Sequence, residues 1–89
     1  MIKLRSESLF WRESEAEIIA LDATASRYFS ANASGATLWR QLEAGATEPA
    51  LVETLCQRYE VARDVAEDAV AAFLAQLDER GLLERDDAG

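Results

Sequence analysis

The spacing of apolar residues changes near Asn32, and this change limits the folds open to the chain. Before Asn32, short runs rich in aromatic and β-branched residues alternate with polar segments, which is typical of β-strands. After Asn32, apolar residues recur at three- and four-residue steps, which is typical of amphipathic helices. At 89 residues the chain has room for one core only. We therefore predict a single α+β domain over residues 1–89, with its core from about residue 9 to residue 84.

Three apolar runs predict strands over residues 9–11, 17–21 and 26–31. The segments between them are short enough to be hairpins, which favours an antiparallel meander. Tyr28 and Phe29 are adjacent on the third predicted strand, so their side chains must lie on opposite faces of the sheet. The free edge of that strand has two interpretations: it is a template for an added strand, or it is a plain edge protected by its polar residues.

Three helices are predicted to cover one face of this sheet. The first spans 33–44, between a capping residue, Asn32, and a stop, Gly45. The second begins after Thr47, and the third spans about 63–80 and ends at Gly81. The tail, 85–89, is expected to fray. A three-stranded antiparallel sheet followed by three helices is a winged-helix-turn-helix-like arrangement.

The chain has almost none of the histidine and cysteine residues that many catalytic and metal sites require. Cys56 is the only cysteine and there is no histidine, so a disulfide within the chain and the usual type of zinc site are excluded. Without a histidine base, Cys56 is interpreted as structural, and the carboxylates within 64–68 and 78–79 are interpreted as a solvated face. There is no glycine-rich phosphate loop. We therefore predict that the chain is not an enzyme and binds no cofactor or metal.

The charge also restricts the partners of this chain. Nine bases against 17 acids give a net charge of −8. Residues 1–31 hold four bases and five acids, whereas residues 32–89 hold five bases and 12 acids. Binding to a phosphate backbone requires a basic face, so a nucleic-acid partner is disfavoured. No apolar stretch is long enough to span a membrane and no signal-peptide pattern is present, so we expect a cytoplasmic protein that does not bind membranes.

Residues 17–84 resemble the PqqD-like family in the order and spacing of their residues. The matching series is Asp22, Tyr28-Phe29, Asn32-Ala33, Leu38-Trp39, Gly45-Ala46-Thr47, Leu55, Tyr59, Phe73-Leu74, Leu77 and Gly81-Leu82-Leu83. Two places depart from the family. Ala25-Ser26 stands where a glycine is common, and Ala31 stands where a leucine is common. These departures leave the subfamily open among quinone-cofactor biosynthesis, lasso peptides, other radical-SAM systems and a divergent member with another client.

The resemblance implies a recognition element for ribosomally made, modified peptides. Such a domain is not catalytic. It binds the leader segment of a precursor peptide and presents the peptide to a modifying enzyme, such as a radical-SAM enzyme or a leader peptidase. In that family the leader adds as a strand to the third strand, beside the third helix. On this chain, the strand positions implied are Arg27, Tyr28, Phe29 and Ser30.

A helical wheel extends this predicted peptide site onto the third helix. With Ala66, Val70, Leu74 and Leu77 against the core, the row that faces the peptide contains Val65, Ala69, Ala72, Phe73 and Gln76. A helix turned by one row would present Glu67 and Ala71 instead.

Two other functions stay open for this chain. One is a non-catalytic subunit that docks on a partner enzyme and regulates it, for which Leu9-Phe10-Trp11 would supply an apolar surface. The other is a winged-helix DNA-binding protein, which the charge disfavours. We expect a monomer or a weak dimer, since an open edge strand can also pair with a second copy.

Overall fold

The strands come first in the chain and the helices follow. The computed structural model describes residues 1–5, 9–15, 17–23 and 26–85. Its elements are β1 (Ile2–Leu4), β2 (Leu9–Ser14), β3 (Glu17–Asp22), β4 (Arg27–Ala31), α1 (Ala33–Ala44), α2 (Glu48–Tyr59), α3 (Arg63–Glu79) and β5 (Leu83–Arg85). Strands β2, β3 and β4 form an antiparallel sheet in that order. The predicted α+β fold, with a three-stranded antiparallel sheet followed by three helices, is confirmed.

A second, two-stranded sheet was not predicted. Strand β1 pairs antiparallel with β5, which places Ile2 opposite Arg85 and Leu4 opposite Leu83. Ile2 and Leu4 are buried, so the core begins earlier than residue 9. The prediction that Arg85 frays is wrong, because this residue is paired; residues 86–89 lie outside the described residues. Three-residue strands are too short to show an alternating pattern, so the sequence carries no clear signal for them.

The residues that flank the helices set their ends. Helix α1 ends at Gly45, whose φ of 97° suits glycine. The hydroxyl of Thr47 accepts a hydrogen bond from the Ala50 amide at 3.3 Å and so caps α2. After α3, Gly81 adopts a φ of 69°, and the Leu82 amide donates to the Leu77 carbonyl at 2.9 Å. The predicted bounds of α1 and α3 are confirmed to within one residue.

The helices cover the face of the sheet on which Ile18, Ala20 and Phe29 lie, and all three are buried. Trp39 of α1 is fully buried at the centre of this core, as predicted. Its ring stacks on Phe29 with 5.7 Å between centroids and meets Trp11 edge-on at 5.9 Å. This aromatic cluster joins β2, β4 and α1.

Arg5 joins the N-terminal segment to the sheet by an ion pair and to the end of α3 by a hydrogen bond. Arg5 Nη2 donates to Asp22 Oδ1 at 2.7 Å, and Arg5 Nη1 donates to the Gly81 carbonyl at 3.0 Å. Asp22 is only 7% exposed, and a buried carboxylate of this kind requires a charged or hydrogen-bonding partner. Asp22, which the family resemblance singled out at the end of β3, therefore has a structural explanation.

We expect Ser26→Gly to stabilise the domain. Ser26 precedes β4 with a φ of 54°, a left-handed conformation that is costly for residues with a Cβ. Relief of this strain exceeds the entropy that glycine adds to the unfolded chain, so the free energy of unfolding should rise by about 0.5–1 kcal/mol. Urea denaturation measures it. Ser30→Gly, within β4, is the control and should lower stability. If both variants lowered the free energy of unfolding, strain at Ser26 would not be the explanation.

Candidate functional site

An open groove of about 460 Å³ lies between β4 and α3. Phe29 of β4 and Phe73 of α3 contribute its aromatic surface, with their ring centroids 6.2 Å apart. The rest of the lining from α3 consists of small Ala69 and Ala72, both exposed, and polar Gln76. The groove thus combines an apolar surface with a stretch of helix that another chain can approach closely.

The structure brings together most of the predicted site residues. Those that line the groove are Phe29, Ser30, Ala69, Ala72, Phe73 and Gln76. Arg27, Tyr28 and Val65 do not line it. Tyr28 is 71% exposed on the face of the sheet opposite Phe29, and Val65 is 54% exposed near the start of α3. Tyr28 and Phe29 therefore lie on opposite faces of β4, as the alternation of strand side chains requires.

The alternative row of α3 lies elsewhere. Glu67 and Ala71 line a separate depression together with Pro49 and Val52 of α2. The orientation of α3 is set by Ala66, which is fully buried, and by the other buried residues of the same stripe. The row with Ala69 and Phe73 is accordingly the one that faces β4.

Several residues of the groove were not predicted. They are Glu17, Ala31, Asn32, Ser34, Gly35, Leu38 and Leu55. A Cβ on Gly35 would lie 3.0 Å from Ala31 Cβ and 3.3 Å from Phe73 Cε1, so the beginning of α1 closely approaches β4. The available signal was the pair of small residues, Ala31 and Gly35, at the junction between the strand and the helix.

Strand β4 forms one edge of its sheet. The order β2, β3, β4 leaves its second side without a partner strand among the described residues. The backbone N–H and C=O groups on such an edge can pair with another extended chain. Because the groove lies beside this edge, hydrogen-bonding groups and an apolar surface are available to the same occupant.

The described residues provide little for other kinds of site. No group of three or more His, Cys, Asp or Glu side chains among them could hold a metal ion. Cys56 is half-buried and packs against the core, which agrees with a structural role. Within the described part of the chain, no helix has both the length and the apolar character required to cross a membrane.

One family model matches this sequence. It is described as coenzyme PQQ synthesis protein D (PqqD), and the match covers residues 17–83. The matched segment contains β3, β4 and all three helices, and so includes every residue of the groove. A search of curated proteins gave no match.

Two solved structures resemble the whole fold. The first is TbiB1 in complex with the TbiA(beta) leader peptide, with 28% sequence identity and a TM-score of 0.85 over 94% of this chain and 96% of that one. The second is lasso peptide synthetase B1 complexed with the leader peptide, with 25% identity and a TM-score of 0.82 over 94% of this chain and 98% of that one. The likeness therefore spans nearly the full length of each chain.

Proposed function

Because this chain belongs to the PqqD family, we propose that it binds the leader segment of a ribosomally synthesised precursor peptide and presents that peptide to a modifying enzyme. The leader adds as a strand to β4, beside α3. The observation that carries this proposal is the edge of β4, which has no partner strand among the described residues and lies next to the open groove. Both similar structures are complexes with a leader peptide, which supports it.

The two parts of the proposed site contribute differently to binding. Main-chain hydrogen bonds to β4 would tolerate many leader sequences, whereas the groove would select the side chains that face it. Alternate residues of an added strand point to the same face, so every second leader residue would face Phe73 and the alanines of α3. Full burial of an aromatic side chain such as Phe73 would contribute about 1.5–3 kcal/mol.

In this proposal the chain binds, and a partner enzyme such as a radical-SAM enzyme or a leader peptidase carries out the modification. Glu17 is the one ionisable side chain among the described residues that line the groove. A groove of this composition is suited to holding a peptide in place. A cytoplasmic location would place the protein where ribosomally made precursors appear.

Hydrogen exchange combined with a binding titration tests the proposal. The ligand is a fluorescein-labelled leader peptide encoded beside this protein, and its binding is followed by fluorescence anisotropy. Saturable binding should be accompanied by slower amide exchange in β4. Strand β2, the other edge of the same sheet, is the internal control and should be unaffected. Binding that leaves β4 unchanged, or protects β2 instead, would contradict strand addition to β4.

A second candidate function, docking on a partner enzyme, is favoured by the outer face of the sheet. The strand register places Phe10, Leu21 and Tyr28 in one row across β2, β3 and β4. Phe10 is 63% exposed, and Ile19 is also exposed on this face. Exposed apolar rows of this kind are typical of protein contacts.

The surface predicted for such docking, Leu9-Phe10-Trp11, is only partly correct. Leu9 is buried and Trp11 packs against Trp39, so only Phe10 of these residues faces outwards. The reason is the alternation of side chains along a strand, which places neighbours on opposite faces. A docking surface on the sheet would therefore extend across the strands, from Phe10 to Tyr28.

A further inference from the structure

Two arginines lie just beyond the groove, on the side where β4 begins. Arg27 is the first residue of β4, and Arg80 follows the last turn of α3. Their side chains line the same shallow recess, which also contains Glu79. Within the described part of the chain, neither guanidinium forms an ion pair with a carboxylate. Asp22, opposite Arg27 on β3, is bound by Arg5 at 2.7 Å.

The position of Arg80 is fixed by an aromatic contact. Its guanidinium carbon lies 5.3 Å from the centroid of the Phe29 ring, within the range of a cation–π interaction. Phe29 also belongs to the groove lining, so the charge is held next to the path of a chain that pairs with β4. A guanidinium that is already oriented loses less entropy when it binds a carboxylate.

The two ends of β4 differ in the charge of the side chains beside them. Arg27 and Arg80 lie at the end where β4 begins, and Glu17 lines the groove near Ala31, where β4 ends. On a chain with a net charge of −8, two arginines without a carboxylate partner among the described residues form a distinct positive site. An occupant with an acidic residue at that end would complement it.

We propose that Arg27 and Arg80 bind an acidic side chain of the leader and thereby fix which leader residue pairs with which residue of β4. This inference rests on the proposed function. Main-chain pairing alone leaves the register weakly specified, and a slip of one residue moves every side chain to the other face. One charged contact at the end of β4 would favour a single register over such slips.

Selection from a display library of random peptides, long enough to pair with all of β4, tests this inference. Peptides that bind the wild-type protein should share an Asp or Glu at a fixed distance from their apolar residues. Changing that residue to Asn or Gln should weaken binding about fivefold, measured by fluorescence anisotropy. On the Arg27→Gln, Arg80→Gln double variant, the same change in the peptide should hardly alter its affinity.

A matched variant removes the same charge elsewhere. Arg12→Gln with Arg58→Gln also loses two positive charges, from residues that line neither the groove nor the recess of Arg27 and Arg80, and should keep the preference for an acid. Binders without a shared acid, or a preference that persists on the Arg27, Arg80 double variant, would overturn the inference while leaving leader binding intact. Failure to select any binder would instead contradict the proposed function. Because the test compares two peptides on the same protein variant, a lower stability of the double variant does not change its outcome.

Discussion

Replacing Phe73 with glutamate should weaken leader binding by about tenfold or more, as measured by fluorescence anisotropy. Phe73 supplies aromatic surface to the groove, and its ring lies next to Phe29. A carboxylate at this position would lose that apolar contact and would also be desolvated without a partner when the peptide binds. Because Phe73 is only partly buried, the domain should stay folded, which circular dichroism checks.

The matched control for this experiment is Ala75→Glu. Ala75 is exposed on the same helix but does not line the groove, so this variant adds the same charge without altering the proposed site. It should bind the leader as the wild type does. Equal affinities for Phe73→Glu and the wild type would show that the peptide binds elsewhere. If Phe73→Glu loses the leader but still captures the partner enzyme, the enzyme contact would not involve Phe73, as docking on the outer face of the sheet requires.

Trp39→Ala should lower the free energy of unfolding by about 3–5 kcal/mol. Trp39 is fully buried and stacks on Phe29, so the truncation leaves a cavity at the centre of the aromatic cluster. A small domain is stable by about 5–15 kcal/mol, so this loss is a large part of the total. Urea denaturation measures this loss of stability as a lower midpoint. Leader binding should also weaken, because Phe29 would no longer stack on the ring of Trp39.

Trp39→Phe is the informative comparison for this position. The indole Nε1 of Trp39 is buried and has no hydrogen-bond partner among the described residues. Replacement by phenylalanine would therefore remove volume but no hydrogen bond, at a cost of about 1–2 kcal/mol. If the alanine and phenylalanine variants lowered the free energy of unfolding equally, the ring stack would contribute little and the buried N–H would have a partner.

The helices were the part of the fold most predictable from the sequence. Gly45 and Thr47 are residues with strong positional preferences at helix ends, and the structure uses them there. Strands β1 and β5 have three residues each, and their pairing is a contact between the two ends of the chain that no local pattern encodes. Arg5 was missed for the same reason, since its partners Asp22 and Gly81 are distant in sequence.

The groove was predictable in part. Ala69 and Phe73 could be placed because a regular helix relates their positions to the buried stripe of α3. Val65 continues that row on the helical wheel but does not line the groove. The contribution of α1 through Gly35 depends on how closely a helix approaches a strand, which is a property of packing and not of either element alone.

The open edge of β4 has a consequence for self-association. An edge that accepts a peptide would also accept the same edge of another copy, and many proteins prevent this with charges or bulges on the strand itself. A bulge on β4 would also obstruct the proposed pairing with the leader. Here a net charge of −8 makes any two copies repel each other, and most of the acids lie after residue 31 and therefore off the strand. Salt screens such repulsion beyond about 8 Å at physiological ionic strength. Higher ionic strength should therefore favour pairing of two copies over binding of a leader peptide.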